Sequence, residues 1–102
     1  MKFYCIADED TVRGFRLAGI EAQIAATAEE ARTAIDDVAA RPDCGVIIIT
    51  EKVAAWIRPQ VEIMRLTRDR LLIVEIPGPE GPLSGRKSLR EFVQEAVGVS
   101  VG

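Results

Sequence analysis

The pattern of hydrophobic and polar positions divides this chain into short β-type segments separated by helical ones. Segments rich in β-branched or aromatic residues predict strands, and the weakest of the four resembles an edge strand. The predicted strands are Lys2–Ala7, Glu21–Ala25 (the weak one), Cys44–Thr50 and Leu71–Ile76. Between them, apolar residues recur every three or four positions, which predicts amphipathic helices.

The first predicted helix covers Thr11–Ala18 and has a recognisable start and stop. Asp10 is placed to accept hydrogen bonds from its first free amides, and Gly19 supplies a left-handed stop. Gly14 lies inside the helix, where glycine is unfavourable by about 1 kcal/mol relative to alanine. We therefore expect something to pack closely against Gly14.

The later helices also begin at capping residues. The second starts in a capping box, in which Thr27 accepts from a free amide and Glu30 reaches back to Thr27. Thr50 is placed to cap a third helical segment, whose apolar stripe runs through Pro59. Because proline interrupts helical hydrogen bonding, either one kinked helix or two short helices fit this segment. The stripe consists of Val53, Ile57, Val61 and Met64.

Alternation of strands with helices predicts an α/β fold with a parallel sheet and right-handed crossovers. We expect a small flavodoxin-like (Rossmann-like) layer of four strands in the order 2-1-3-4, with flanking helices. The fourth strand, Leu71–Ile76, then lies at an edge although it is apolar on both faces. Edges of that kind are usually covered, here either by the last helix or by another protein chain.

The chain divides into three predicted parts. Residues 1–76 form the globular α/β domain, residues 77–85 a hinge, and residues 86–102 a C-terminal amphipathic helix and tail. The hinge holds three of the five prolines and three of the eight glycines. The last helix carries an apolar stripe, which either docks on this domain's own sheet or is presented to another protein. That stripe consists of Leu89, Phe92, Val93, Ala96 and Val97.

Composition excludes several classes of function. The 102 residues contain no histidine, which removes most nucleophile–histidine enzymes and most zinc sites. The two cysteines, Cys5 and Cys44, suit reduced core thiols of a cytosolic protein, and no apolar stretch is long enough to span a membrane. A net charge of −3 argues against nucleic acid as a partner. Acidic side chains outnumber basic ones in residues 1–51, and the reverse holds in residues 52–102, which indicates that the two halves of the chain face different surroundings.

Acidic residues after the first strand raise the possibility of a phospho-acceptor receiver domain. In that alternative, a degenerate signalling domain binds Mg²⁺ through Asp8 and Asp10. The receiver family needs an acceptor aspartate at the end of the third strand, where this chain has Thr50 and Glu51. We therefore favour helix capping and compensation of the helix dipole as the role of these aspartates.

Three segments together carry a family resemblance. They are Asp8–Ile20, which contains GFRLAGI, Val46–Val53, which contains ITEK, and Val74–Pro82. In combination they resemble the F subunits of the V-type/A-type rotary ATPases, over essentially the whole chain.

The resemblance implies a non-catalytic rotor subunit of the central stalk. Such a protein binds the coiled-coil D subunit and turns with it inside the catalytic ring of A and B subunits. The assembly couples ATP synthesis or hydrolysis to H⁺ or Na⁺ transport. The C-terminal helix is implied to change position, with a contact to the A/B ring. No catalytic residue, metal or cofactor is expected, and the location is cytoplasmic, peripheral to the membrane through the complex.

Two sets of residues follow as hypotheses for this role. The residues expected to bind the partner are Leu71, Ile73, Leu89, Phe92, Val93 and Val97. The residues expected to let the terminal helix reposition are Gly78, Gly81 and Gly85.

Overall fold

Strands and helices alternate along the chain in the computed structural model, which describes residues 1–79 and residue 81. The elements are β1 (Lys2–Ala7), α1 (Glu9–Leu17), β2 (Glu21–Ile24), α2 (Ala28–Ala39), β3 (Cys44–Thr50), α3 (Glu51–Trp56), α4 (Arg58–Thr67) and β4 (Leu72–Ile76). The strands form one parallel sheet in the order β2-β1-β3-β4. The predicted fold class and strand order are confirmed, and β2 and β4 are the edges of this sheet.

The sheet separates two hydrophobic clusters, because successive side chains of a strand point to opposite faces. The larger cluster lies between the sheet and helices α2, α3 and α4, on what we call the three-helix face. Its centre is formed by strand residues that are fully buried, among them Ile6, Ile47 and Ile49. The smaller cluster, which includes Cys5 and Val12, lies under α1 on the opposite face, the α1 face.

Helix α1 begins two residues earlier than predicted, and its cap is Asp8 rather than Asp10. The Asp8 carboxylate accepts from the Thr11 amide at 3.0 Å and from the Thr11 hydroxyl at 2.8 Å. Asp8 has the extended backbone of an N-cap, whereas Asp10 already lies in the first helical turn, where its charge favours the helix dipole. Gly19 adopts φ +85°, which confirms the left-handed stop.

The caps of α2 and α3 lie where the sequence predicts them, with one difference. The Glu30 amide donates to the Thr27 hydroxyl at 3.1 Å, but the Glu30 carboxylate accepts from the amide of Ala26 at 2.9 Å, not from that of Thr27. The hydrogen bond from the backbone to the Glu30 side chain therefore comes from the residue before the cap, not from the cap itself. The Thr50 hydroxyl accepts from the Val53 amide at 3.4 Å, as predicted for a cap.

Pro59 divides the third helical segment into two helices. The break falls at Ile57, whose φ of −126° and ψ of 34° are not helical. Pro59 lies in the first turn of α4, where amides lack intrahelical partners, so its missing N–H costs little. Of the two predicted arrangements, the structure has the pair of short helices. The stripe on both helices is buried, as predicted.

Within residues 1–79 and 81, no close contact holds Gly14, contrary to the expectation from sequence. A Cβ placed there meets no atom of those residues within 4 Å outside its own helix backbone and chain neighbours. Gly14→Ala should therefore raise the free energy of unfolding by about 0.5–1 kcal/mol, because alanine loses less backbone entropy on entering a helix. Urea denaturation measures the effect.

Gly19→Ala is the matched control for this substitution. The described part of the chain leaves space open there as well, but the positive φ strains alanine, so stability should fall by about 1 kcal/mol. A loss of stability in Gly14→Ala would mean that a contact absent from this structure occupies the site.

Candidate functional surface

The β3–β4 end of the α1 face carries an apolar strip. Helix α1 packs on β1 and β2, at the other end of the sheet. Side chains alternate along β4, so those next to the buried Ile73 point to the α1 face. Parallel pairing aligns Phe3 with Val46 and Leu72, and Ile48 with Val74. Phe3 is 43% exposed and Leu72 59% exposed. We call Phe3, Ile48, Leu72, Val74 and Ile76 the open strip.

Two residues predicted to bind a partner, Leu71 and Ile73, have their side chains in or against the core. Ile73 is only 5% exposed and belongs to the cluster under the three helices. Leu71 is half-buried and packs against the same cluster. In the described structure β4 therefore presents Leu72, Val74 and Ile76 on the α1 face. The sequence could not choose between the two sets, because both are apolar.

The hinge prediction falls partly within the described residues. The Gly81 amide donates to the Gly78 carbonyl at 3.0 Å, which closes a turn directly after β4. Gly81 has φ +91°, a conformation that side chains disfavour, whereas a Cβ at Gly78 would meet no neighbour among the residues that the structure describes. The remaining predicted hinge and partner residues, Gly85, Leu89, Phe92, Val93 and Val97, lie outside the described residues.

An ion-pair cluster fixes α4 to the edge strand β4. Arg58 donates to both oxygens of the Glu75 carboxylate, at 2.6 and 2.8 Å, and Arg65 approaches one of them at 3.0 Å. Arg65 also donates to the Ile73 carbonyl at 3.1 Å. Hydrogen bonds from Arg58 are the main influence on the Glu75 carboxyl, and despite its burial they lower its pKa to about 2. The cluster holds α4 in one orientation along the edge of the sheet.

The acidic residues at the carboxyl end of the sheet line a cavity of about 300 Å³. Both oxygens of Asp8 accept from Thr11, one from its amide and one from its hydroxyl. Partial burial raises the pKa of Asp8, but these hydrogen bonds outweigh it and leave the pKa below its usual value. Within residues 1–79 and 81, no three His, Cys, Asp or Glu side chains are grouped so as to hold a metal ion. Asp8 thus acts as the cap of α1, the role that the sequence favours for it.

The thiols of Cys5 and Cys44 are at least partly buried, as expected of cysteines that pack in a protein core. Burial is the main cause that raises the pKa of the Cys5 thiol, to about 12, so the reactive thiolate is suppressed. Cys44 is half-buried, and burial raises its pKa as well. In the part of the chain that the structure describes, no helix has the length and apolar character to cross a bilayer.

Comparison with known proteins identifies close relatives. The family model described as "ATP synthase (F/14-kDa) subunit" matches residues 4–93. The A-type ATP synthase F subunit of Pyrococcus abyssi is 36% identical over 99% of this chain and 98% of that protein. The F subunit of the A-type ATP synthase from Thermococcus sibiricus is 38% identical, again over 99% and 98%.

A solved structure agrees with these sequence relatives. The V-type ATP synthase F subunit of Archaeoglobus fulgidus superposes with a TM-score of 0.57 at 28% identity. The match covers 72% of this chain and 95% of that one. Fold and sequence comparisons therefore agree on one family.

Proposed function

This chain belongs to the family of ATP synthase F subunits of the A/V-type rotary ATPases, and from that premise we propose that it is a rotor subunit of the central stalk that binds the coiled-coil D subunit. Membership makes it an accessory subunit rather than the catalytic one. Through its attachment to the D subunit, it helps to couple ATP synthesis or hydrolysis to the transport of H⁺ or Na⁺. Its place is cytoplasmic, peripheral to the membrane through the complex.

The observation that carries this proposal is the open strip beside the edge strand β4. A rotor subunit must transmit torque without separating from the shaft, which requires an interface with an apolar centre and a polar rim. Exposed ion pairs alone contribute too little, typically less than about 1 kcal/mol each. Leu72, at 59% exposed, and Phe3, at 43%, supply exposed apolar area at the amino end of the strands, and Ile76 lies at the other end of the same face, where the chain leaves the sheet.

The segment that follows the sheet extends this surface in our proposal. Residues 1–76 act as the globular domain, residues 77–85 as the hinge, and residues 86–102 as a helix that adds Leu89, Phe92, Val93 and Val97 to the interface with the D subunit. The same helix reaches the A/B ring when it repositions. The Gly78–Gly81 turn supports a hinge that begins directly after β4, because its hydrogen bond marks where the strand ends.

Substitution of the terminal stripe tests the proposal. The double variant Phe92→Asp/Val93→Asp should abolish co-purification with the D subunit, because two carboxylates replace the apolar centre of the contact. Affinity pull-down of the full-length chain with the D subunit measures the effect, and circular dichroism checks the fold. Leu17→Asp, at an 86% exposed position on α1, is the control and should leave binding intact. Normal co-purification of a folded double variant would contradict this mode of attachment.

A further inference from the structure

The sheet ends on both sides in a strand that another strand could join. In the described structure β2 and β4 each pair with a neighbour on one side only. An edge strand directs backbone N–H and C=O groups outwards, and these groups pair readily with a strand of another chain. The hazard is greater at β4, because four of the five residues of Leu72–Ile76 are apolar and Leu72 is 59% exposed. Strand addition at such an edge leads to dimers or larger aggregates.

The pairing of the strands shows which backbone groups point out of the sheet. In a parallel sheet, residues whose side chains lie on the same face direct their N–H and C=O groups to the same side, and residues on the other face direct them oppositely. Ala25, on the three-helix face, donates its amide towards β1, to the Ala7 carbonyl at 2.9 Å. Ala22, on the α1 face, therefore points its groups away from β1. Ile73 lies on the three-helix face, as Ala25 does, so its groups point away from β3.

An arginine contacts an outward-pointing carbonyl at each edge of the sheet. Arg16, in the last turn of α1, donates to the Ala22 carbonyl at 2.9 Å. Arg65, in α4, donates to the Ile73 carbonyl at 3.1 Å. Hydrogen bonds from a charged donor are stronger than those from a backbone amide. A strand joining either edge would therefore have to replace the arginine contact with a weaker one.

A buried carboxylate adds to the protection of β4. The Glu75 side chain lies on the same face as that of Ile73, and its carboxylate is 10% exposed between Arg58 and Arg65. Arg65 contacts this carboxylate at 3.0 Å and the Ile73 carbonyl at 3.1 Å, so its guanidinium spans the two residues along the outer side of β4. Charged groups on an edge strand disfavour pairing, because an added strand would remove them from water or displace their partners.

We propose that Arg16 and Arg65 close the two edges of the sheet against strand addition by a second copy of this chain. Their guanidinium groups take the places that amides of an added strand would occupy at Ala22 and Ile73. Contacts with other proteins are then left to side chains on the faces of the sheet, such as those of the open strip. This assignment concerns the isolated chain and is independent of the proposed function.

Self-association of the full-length chain tests the assignment at β4. Arg65→Met should associate at concentrations at least tenfold below those that wild type needs, because the Ile73 carbonyl becomes available to an added strand. Size-exclusion chromatography with light scattering measures the association, and circular dichroism checks the fold. Arg58→Met is the matched control, since Arg58 contacts the same carboxylates, those of Glu62 and Glu75. Within the described residues Arg58 donates to no backbone carbonyl, so this variant should associate no more than wild type.

The second edge and the site of contact are tested separately. Arg16→Met should promote association at β2 by a smaller factor, because β2 has only four residues. Arg13→Met is its control, since Arg13 lies in the same helix and, in the part of the chain described, pairs with Glu9 rather than with a carbonyl. Amide hydrogen exchange locates the contact at β4. In associated Arg65→Met the Ile73 amide should exchange at least tenfold more slowly than in the diluted variant, because it pairs with the added strand.

Three results would overturn the assignment. The first is a folded Arg65→Met that associates no more than wild type. The second is equal association of Arg58→Met, which would make loss of the ion pairs the cause. The third is association that leaves exchange of the Ile73 amide unchanged, since the contact would then lie elsewhere. Should Arg65→Met fail to fold, the comparison of Arg16→Met with Arg13→Met decides, and equal behaviour of that pair would overturn the assignment.

Discussion

Replacing Ile47 with alanine is expected to lower the free energy of unfolding by about 3–4 kcal/mol. Ile47 is fully buried in β3 and is aligned with Tyr4 on one side and Ile73 on the other. Its side chain belongs to the larger cluster, between the sheet and the helices that cover the three-helix face. The substitution loses transfer free energy and leaves a cavity that packed neighbours fill only partly. Since small domains are stable by about 5–15 kcal/mol, a large part of the total should disappear.

Urea denaturation followed by circular dichroism measures this loss as a lower transition midpoint at an unchanged slope. Ile63→Ala is the matched control, because the same atoms are removed from a position that is 59% exposed. Its effect should stay within about 0.5 kcal/mol. Ile47→Val should cost about 1 kcal/mol, as the smaller cavity requires. A loss in Ile47→Ala no greater than that in Ile63→Ala would show that β3 is not the centre of the core.

Local sequence signals were sufficient to predict the sheet. The run Cys44–Ile49 is apolar throughout, and a strand covered on both faces requires this, so its central place followed directly. Thr27 and Thr50 mark helix starts because a hydroxyl at that position satisfies a free amide. The order of strands followed from the alternation of elements together with right-handed crossovers. These features depend on short stretches of chain, and the structure confirms them.

Features that depend on tertiary contacts were harder to predict. Several carboxylates follow β1, and only the backbone geometry decides that Asp8, not Asp10, is the cap. The direction of each side chain in β4 was ambiguous because neighbouring positions have the same apolar character. Leu71–Val74 is apolar at every position, so the sequence does not tell which of its side chains point to which face of the sheet. Glu75 is the one polar residue, and only its pairing with Arg58 and Arg65 on α4 reveals the face to which it points.

The family was recognisable from sequence, but the surfaces on the globular domain were not. Segments such as GFRLAGI and ITEK carried the resemblance that the comparisons confirm. The open strip requires knowledge of which sheet face α1 covers, and α1 packs on β1 and β2 only in three dimensions.

The stability of this domain is expected to depend on pH through Glu75. Glu75→Gln should lower the free energy of unfolding by about 2 kcal/mol at pH 7, because the neutral amide cannot pair with two arginines. The carboxyl is 10% exposed, and hydrogen bonds from Arg58 are the first cause of its low pKa of about 2 in the folded chain. In the unfolded chain the pKa returns to its usual value near 4.5.

The sign of the pH dependence follows from these two pKa values. A carboxyl whose folded pKa is depressed contributes stability that is fully present above its unfolded pKa. That contribution should decline as pH falls from about 4.5 towards 2, where the folded carboxyl also takes up a proton. The difference in free energy of unfolding between wild type and Glu75→Gln should therefore narrow below about pH 4.5. Urea denaturation at pH 7, 4 and 3 measures it.

Glu62→Gln is the control that separates the effect of burying the carboxylate from the effect of pairing it with arginine. Glu62 contacts the same two arginines, at 3.4 and 3.2 Å, but its side chain is 52% exposed. Water screens such a pair, so the control should change stability by less than about 0.5 kcal/mol at any of these pH values. A Glu75→Gln gap that stays constant from pH 7 to pH 3 would assign the loss to packing of the amide rather than to the charge. A difference in stability that narrows as pH falls would identify the charge of the Glu75 carboxylate as what pairs α4 with the edge strand β4.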